Sequence, residues 1–350
     1  MARIGIEAGD TVRRHRAGMA RYTYELIEAL IDLRSPHQLT ALLPVRRLPG
    51  IPFKPRRPHA RWYRRGRAVS GFDLIHATCC TFPGPRRSAE VATLHDLFTL
   101  TGPGQDPSPE KIEETTRYLR RADRVICVSA SAQSDLHRMT DLDESMSVVI
   151  PLGVNPEFRP RSDREMTAIK QRLGLPQDFL LFVGRPRPNK NLTRLIEAYA
   201  ESGVDLPLVL AGRFGRRHNA ELMEAATRSG VADRLRLPGF VRETDLPALL
   251  SGATGFLFPS LFEGFGLPVL EALACGAPVL TSLGVATEEV AGGHAVLVDP
   301  RSIDDMSDGI NRLIGTSDTD RDARSTFARA FTWERTAART LEVYEDVLGG

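Results

Sequence analysis

Residues 258–272 of the chain read FPSLFEGFGLPVLEA, an apolar run that leads into two glycines and a proline. The apolar residues 254–258 predict a buried strand, and residues 268–275 predict a helix because Pro268 suits the first helical position. Glycines at 264 and 266 let the backbone approach a ligand closely. The N–H groups and dipole of a helix start favour an anion. We therefore predict an anion site here, with Glu263 in the loop and Glu271 in the first helical turn.

The spacing of Glu263 and Glu271 is more specific than either residue alone, since a glycine-rich turn or an acidic helix start is often only structural. The string resembles the E-x7-E signature of family 4 of the retaining glycosyltransferases, which transfer sugars from nucleotide-diphospho-sugars. Over nearly the whole chain, the resemblance implies an α/β protein of the GT-B fold. Such a protein has two Rossmann-like domains facing each other across a cleft, and a final helix, here 332–348, that packs back on the first domain.

Length and composition narrow the class of protein. A chain of 350 residues is too long for one typical core and predicts two domains. The net charge of +2 argues against a nucleic-acid partner. No apolar run reaches membrane-spanning length and no signal-peptide core follows Met1, so we expect a cytoplasmic protein. The four cysteines have neither disulfide nor zinc-site spacing.

One segment departs from this even composition. From Arg46 to Arg67 the chain carries nine Lys or Arg residues and no acid, interleaved with prolines and aromatic residues. The simpler interpretation is a solvated face. The alternative is a surface that meets anionic lipid or a phosphate-bearing acceptor, which would place the protein at the inner face of the membrane.

Short apolar runs alternate with helical patterns through both halves of the chain, which predicts parallel sheets covered on both faces. Prolines at 151, 156, 160 and 176 interrupt this alternation and indicate a linker. We therefore expect a first, acceptor-binding domain over 1–155, joined by a returning helix at about 332–350. A second, donor-binding domain should extend over 156–331, with ligands at the carboxyl ends of its strands.

A second loop carries cations. Residues 182–192 read FVGRPRPNKNL, in which a strand ends in glycine and a proline-containing loop leads to a helix capped by Asn189 or Asn191. Arg185 and Lys190 flank the loop. Fixed cations stabilise a leaving diphosphate more in the transition state than in the ground state. The loop matches the family's G-R…K pattern, in which the arginine and the lysine grip the diphosphate of the donor.

The resemblance also assigns the remaining donor contacts. Glu271 should bind the two ribose hydroxyls, and Glu263 should position the hexose hydroxyls. Base recognition should fall on Phe240 and Val241, although the sequence does not decide between guanine and uracil. The loop backbone should meet the diphosphate and the hexose at four residues: Gly264, Phe265, Gly266 and Leu267.

Two motifs of the first domain belong to the same pattern. His95 and Asp96 end an apolar strand as the family's His-Asp motif does, which implies that His95 donates to a hydroxyl of the transferred sugar. A histidine in such a place is more often structural, and we expect Asp96 to be mainly so. Gly18 opens the first helix and resembles the family's double-glycine loop, which approaches the donor phosphate, but Ala17 replaces the other glycine. Ser129 matches a serine at a strand end with weak specificity.

Retaining transfer without a well-placed nucleophile is expected to proceed on one face of the sugar, with the departing diphosphate helping to deprotonate the acceptor. The residues that we expect to contribute to catalysis are His95, Glu263, Arg185 and Lys190. Two Asp-x-Asp strings, at 141–143 and 318–320, would hold a metal in another class of glycosyltransferase. Both lie in polar loop sequence, so we expect no metal and no cofactor besides the nucleotide-sugar co-substrate.

The linker over 151–155 and the helix start over 190–192 favour a mannosyltransferase-like enzyme of polysaccharide biosynthesis that uses GDP-mannose, and a UDP-sugar stays open. The acceptor hydroxyl could belong to a glycan, a glycolipid or a small molecule. One alternative is a nucleotide-sugar epimerase on a related twin-Rossmann fold, and another is a non-catalytic protein that binds sugar nucleotides. An NAD oxidoreductase is disfavoured because no G-x-G-x-x-G follows the first strand.

Overall fold

A computed structural model describes residues 1–9, 18–44, 60–63, 67–79, 82–102, 104–315 and 320–349. The contacts of the chain divide it into two compact units. One consists of Met1–Gly153 with Thr332–Gly350, and the other of Val154–Phe331. Most of the basic segment 46–67, together with Ala17, Cys80 and Asp318, lies outside the described residues.

The first unit contains one parallel sheet. Its strands are β1 (Arg3–Glu7), β2 (Gln38–Pro44), β3 (Ala60–Tyr63), β4 (Leu74–Ala77), β5 (Ala89–Leu94), β6 (Arg124–Cys127) and β7 (Ser147–Val149). Their spatial order is β3-β2-β1-β4-β5-β6-β7. The helices are α1 (Met19–Asp32), α2 (Phe98–Thr101), α3 (Pro109–Arg121), α4 (Ala130–Met139) and, at the end of the chain, α13 (Trp333–Gly349).

The second unit repeats the architecture with six parallel strands. They are β8 (Leu180–Val183), β9 (Leu208–Ala211), β10 (Leu235–Gly239), β11 (Gly255–Phe258), β12 (Val279–Ser282) and β13 (Val296–Val298), in the order β10-β9-β8-β11-β12-β13. Its helices are α5 (Asp163–Leu173), α6 (Leu192–Glu201), α7 (Arg216–Arg228), α8 (Leu246–Ser251), α9 (Leu267–Ala274), α10 (Ala286–Ala291), α11 (Ile303–Ile314) and α12 (Arg321–Arg329).

The central strands of both sheets are apolar because helices cover both faces. All four residues of β4 and of β11 are buried. In the second unit the rings of Phe182 and Phe256 stack on Phe258, with centroids 5.7 and 5.8 Å apart. The predicted pair of parallel α/β sheets is therefore confirmed.

The helix after the glycine loop differs from the prediction in its bounds and in the position of Glu271. It begins at Leu267, so Pro268 occupies its second position. Glu271 is consequently in the second turn and not in the first, because one turn takes 3.6 residues. The helix ends at Ala274, one residue before its predicted end at Cys275.

The last helix returns to the first unit, as predicted. Helix α13 contacts α1, β5 and β6. Arg124 of β6 forms an ion pair with Asp346 at 2.8 Å, and the Tyr344 hydroxyl lies 2.6 Å from Nδ1 of His76 in β4. A Cβ on Gly153 would lie 2.3 Å from the backbone nitrogen of Trp333, so glycine there lets the start of α13 pack closely.

Candidate active site

The loops that follow the strands of the second sheet gather the predicted donor residues. Because the strands are parallel, their carboxyl ends lie along one edge. Arg185 follows β8, Phe240 follows β10, and Glu263 lies in the loop after β11. The predicted residues 185, 240–241 and 263–267 of this unit are thus brought to the same edge.

The 3-10 turn Pro188–Lys190 is fastened to the loop after β11. The Asn189 side-chain amide donates to the Phe262 carbonyl at 2.9 Å, while the Asn189 carbonyl accepts from the backbone N–H of Leu261 at 2.7 Å. Backbone and side-chain hydrogen bonds of one residue therefore fix the distance between the loop that carries Lys190 and the loop that carries Glu263.

Asn191 connects the same loops by further hydrogen bonds, and it does not cap the helix with its side chain as predicted. It precedes α6 in the left-handed conformation, with φ of 60°, and its side chain makes no capping hydrogen bond. Instead its side-chain amide donates to the carbonyls of Pro259 at 3.2 Å and Pro300 at 2.6 Å. Asparagine tolerates this backbone conformation better than most residues, which explains why it stands here.

These fastenings place Lys190 against Glu263. The Lys190 ammonium donates to Oε1 of Glu263, and each side chain is only about one-seventh exposed, at 14% and 13%. The ammonium also lies 4.6 Å from the centroid of the Phe258 ring, within cation–π distance. The sequence predicted both residues but not their ion pair, which holds a cation and a carboxylate in one partly desolvated corner.

Arg185 is placed differently from Lys190. It follows Gly184 at the end of β8 and its side chain is exposed. Among the described residues, its guanidinium has neither a hydrogen-bond partner nor an ion-pair partner. An exposed guanidinium presents five donors in a fixed fork, which suits a bidentate contact with phosphate.

The start of α9 requires glycine at 266. Gly266 has φ of 112°, and a Cβ there would lie 2.7 Å from Cγ2 of Thr287. Within the part of the chain that the structure describes, the N–H groups of Phe265, Gly266 and Leu267 have no hydrogen-bond acceptor. N–H groups in this arrangement can bind an anion. Sequence reasoning missed the buried Thr287, whose contact with Gly266 no sequence spacing indicates.

Glu271 lies further along the same helix and is 7% exposed. It stands four positions after Leu267, so both lie on one face of α9. Burial, and then the charge of Glu271, raise the pKa of the neighbouring Cys275 thiol to about 12. Cys275 is therefore an unreactive packing residue, whereas the role of Glu271 stays a prediction.

The predicted base-binding residues differ in exposure. Phe240 is 53% exposed and Val241 is buried. The Arg213 guanidinium carbon lies 5.0 Å from the centroid of the Phe240 ring. Sequence reasoning missed Arg213, and its only signal is its place directly after β9 and Gly212. An exposed ring beside a guanidinium offers a flat surface on which a base can stack.

In the first unit, His95 contacts Thr78 and Tyr22 among the described residues. Its Nε2 lies 2.9 Å from the Thr78 carbonyl oxygen, and its ring meets that of Tyr22 edge-to-face, with centroids 4.8 Å apart at 81°. A carbonyl can only accept, so Nε2 carries a proton and donates. If the ring carries no second proton, its Nδ1 can only accept, so the predicted donation to a sugar hydroxyl would need a proton on both ring nitrogens.

Several neighbouring predictions concern structural residues. The exposed Asp96 accepts from the Phe98 N–H at 3.0 Å, and Ser129 caps α4 by accepting from Ala132 at 3.0 Å. Gly18 precedes α1 with φ of 58°, a conformation that glycine favours. Asp141 accepts from Arg120 at 3.1 Å, consistent with the loop role expected of the first Asp-x-Asp string.

Within the described ranges, no cluster of three or more His, Cys, Asp or Glu side chains is arranged to hold a metal ion, and metal independence stays a prediction. In the same ranges, none of the helices combines the length and the apolar character that crossing a membrane requires.

Two family models match the chain. The one described as "Glycosyl transferases group 1" matches residues 163–329, and the one described as "Glycosyltransferase Family 4" matches residues 16–158.

The sequence is also similar to characterised relatives. O-antigen chain mannosyltransferase B of Escherichia coli is 26% identical over 97% of this chain and 99% of that protein. D-inositol 3-phosphate glycosyltransferase of Salinispora arenicola is 31% identical over 81% of this chain and 70% of that protein. Among solved structures, Anabaena HepE in complex with UDP and glucose has a TM-score of 0.76 at 20% identity, over 99% of this chain and all of that one. This last likeness shows the fold.

Proposed function

The chain belongs to the group 1, family 4 glycosyltransferases and has their GT-B fold, and from this premise we propose that it transfers a hexosyl group with retention of configuration. Glycosyltransferase activity itself follows from family membership. The donor that we propose is GDP-mannose, and the acceptor is a hydroxyl of a glycan, a glycolipid or a small molecule.

The observation that carries the proposal is the corner formed by Lys190 and Glu263. An ammonium and a carboxylate, each about one-seventh exposed, meet beside a helix start with unoccupied N–H groups in the described chain. A sugar diphosphate needs both kinds of group, because its phosphates require cations and its hydroxyls require acceptors. The corner therefore suits a diphosphate joined to a sugar better than it suits either alone.

The preference for GDP-mannose rests on weaker support. The Escherichia coli relative is named as a mannosyltransferase, which favours mannose. HepE, by contrast, was solved with UDP and glucose, so a UDP-sugar is the competing donor. The ring of Phe240 would stack on either base, since stacking tolerates any base.

In the proposed reaction, the bond between the anomeric carbon and the diphosphate oxygen breaks, and the acceptor oxygen bonds to that carbon from the same face. The acceptor proton passes to the departing phosphate oxygen. Lys190 and Arg185 stabilise the growing negative charge on the diphosphate, an effect larger in the transition state than in the ground state. Glu263 positions hexose hydroxyls, Glu271 binds the ribose, and His95 of the first unit forms a hydrogen bond with a hydroxyl of the transferred sugar.

Binding of nucleotides to the Lys190→Met variant tests the proposal. We expect GDP to stabilise the wild-type protein against heat more than UDP, dTDP or ADP does, with or without Mg²⁺, and Lys190→Met to lose this stabilisation and most transfer. The matched control is Lys170→Met. Lys170 also has a largely buried ammonium near a phenylalanine ring, at 5.7 Å from Phe179, but it donates to the Gln177 carbonyl and lies on α5. Wild-type binding and turnover in Lys190→Met would refute the diphosphate assignment.

Incubation with GDP-mannose and no acceptor distinguishes the alternatives. A glycosyltransferase should release mannose slowly, whereas an epimerase would convert the donor into another nucleotide sugar. A non-catalytic binding protein would do neither. Retention is checked separately, from the anomeric NMR signal of the first product formed with an acceptor.

A further inference from the structure

Behind the predicted catalytic histidine, the first unit buries a chain of polar side chains that packing alone does not require. His76 of β4 is fully buried, and both of its ring nitrogens have hydrogen-bond partners. Its Nδ1 lies 2.6 Å from the Tyr344 hydroxyl of α13, and its Nε2 lies 2.7 Å from the Thr93 hydroxyl of β5. The Thr93 hydroxyl in turn lies 2.9 Å from the hydroxyl of Tyr22 on α1.

We propose that His76 is a positioning residue for His95, and that it does this by joining the last helix of the chain to Tyr22 and Thr78, two groups that contact the His95 ring. The inference rests on the proposed function, because it takes His95 to act on the transferred sugar. The chain of hydrogen bonds from Tyr344 through His76 and Thr93 to Tyr22 is called the His76 chain below.

The His76 chain reaches His95 from two sides. On one side, Tyr22 meets the His95 ring edge-to-face at 4.8 Å, and the Tyr22 hydroxyl is fixed by Thr93. On the other side, His76 lies two residues before Thr78, whose carbonyl accepts from His95 at 2.9 Å. The Thr78 hydroxyl is itself tied down, since it donates to the Glu7 carbonyl at 2.6 Å.

The protonation states of its members agree with the hydrogen bonds of the His76 chain. Burial, with a smaller contribution from His95, lowers the pKa of His76 to about 3, so its imidazole is neutral at neutral pH. A neutral imidazole donates from one nitrogen and accepts at the other, which matches its two hydroxyl partners. Burial also raises the pKa of the Tyr22 and Tyr344 phenols well above the usual value, so neither ionises.

Four polar side chains in a core are a costly way to gain stability alone. Each must keep its hydrogen bonds, and apolar residues of similar volume would fill the same space without that requirement. A satisfied polar network instead specifies one arrangement of the groups around it. Here the specified arrangement includes the orientation of the His95 ring.

The test removes single hydroxyls from the His76 chain. The variants are Tyr344→Phe and Thr93→Val. Each has a matched control that loses one buried hydroxyl elsewhere. Tyr199→Phe loses a hydrogen bond to the Leu206 carbonyl, and Thr116→Val loses one to the Ile112 carbonyl.

We expect Tyr344→Phe and Thr93→Val to lower kcat about tenfold while the KM for the nucleotide sugar changes less than twofold, because a misplaced His95 imidazole weakens transition-state stabilisation more than it weakens binding of the nucleotide sugar. The controls should keep wild-type kcat. In ¹⁵N-histidine spectra, the His95 imidazole, assigned with His95→Gln, should shift or broaden in the two test variants only.

Two outcomes would overturn the positioning role. One is an unchanged kcat in the two test variants while all four variants melt at lower temperature. The His76 chain would then contribute to stability and not to catalysis. The other is a His95 imidazole signal identical to wild type in Tyr344→Phe and Thr93→Val. If the wild-type protein transfers no sugar from any nucleotide donor, the proposed function has failed, and the imidazole spectra alone decide the inference.

Discussion

Acidification should destabilise the first unit through His76, and the effect can be isolated by the variant His76→Gln. Burial lowers the pKa of His76 from the ordinary 6.5 to about 3. His76 therefore binds a proton below about pH 6.5 in the unfolded chain, but only near pH 3 in the folded chain. The resulting stability is fully present above pH 6.5 and is lost as pH falls between these two values.

The magnitude follows from the cited pKa. A pH of 5 is about 1.5 units below the ordinary pKa of the imidazole in the unfolded chain. Each pH unit in this range changes the free energy of unfolding by about 1.4 kcal/mol. The wild-type protein should therefore lose about 2 kcal/mol through this one group between pH 7.5 and pH 5. The same acidification should cost His76→Gln about 2 kcal/mol less, although the variant starts from a lower stability at pH 7.5.

Urea unfolding followed by tryptophan fluorescence measures this difference in the right place. The two tryptophans of the chain, Trp62 and Trp333, both belong to the first unit. Thr93→Val is the control, because it removes a hydrogen bond of His76 but leaves the imidazole buried. It should be less stable at both pH values and still show the wild-type loss on acidification. Equal losses in wild type and His76→Gln would refute the reasoning.

Substitutions at three further positions test the second unit. Glu271→Gln should weaken nucleoside-diphosphate binding about tenfold without lowering the melting temperature much, as measured by calorimetry, because a neutral amide binds a ribose diol less well; unchanged affinity would remove Glu271 from the ribose site. Gly266→Ala should cost about 1–3 kcal/mol of unfolding free energy from its strained φ and weaken diphosphate binding, and wild-type values for both would contradict the steric argument. Asn191→Ala should lower the free energy of unfolding by about 2 kcal/mol and weaken diphosphate binding. Asn191→Asp should have the same two effects, because it keeps the side-chain shape but loses both donated hydrogen bonds. A stable, tightly binding Asn191→Asp would show that these two hydrogen bonds are dispensable.

The sequence was most informative where local rules and long-range packing agree. The run over 254–275 combines a buried apolar strand, a glycine with positive φ and a proline near a helix start, and each is a local preference that the fold retains. Strand β3 and helices α2, α10 and α12 were missed. The first three are too short for a clear period, and α12 has a strongly polar sequence.

The contacts that shape the site could not be read from spacing. Lys190 and Glu263 are 73 residues apart, and their ion pair depends on how Asn189 fastens two loops. Tyr344 and His76 are 268 residues apart, and they meet only because the last helix returns to the first sheet. Periodicity and motif spacing describe neighbours along the chain, whereas these pairs depend on the register and twist of parallel sheets.

The two units prepare their predicted catalytic groups by the same physical means. In the second, the side-chain amides of Asn189 and Asn191 hold a lysine against a carboxylate before any ligand is present. In the first, a neutral buried imidazole fixes the surroundings of His95. Preorganised dipoles and charges stabilise a transition state without reorganising during the reaction, so the energy that orients them is spent during folding. Conservative substitutions of buried polar residues behind the site should therefore lower turnover more than they lower binding. This should hold even for residues that would not touch a substrate.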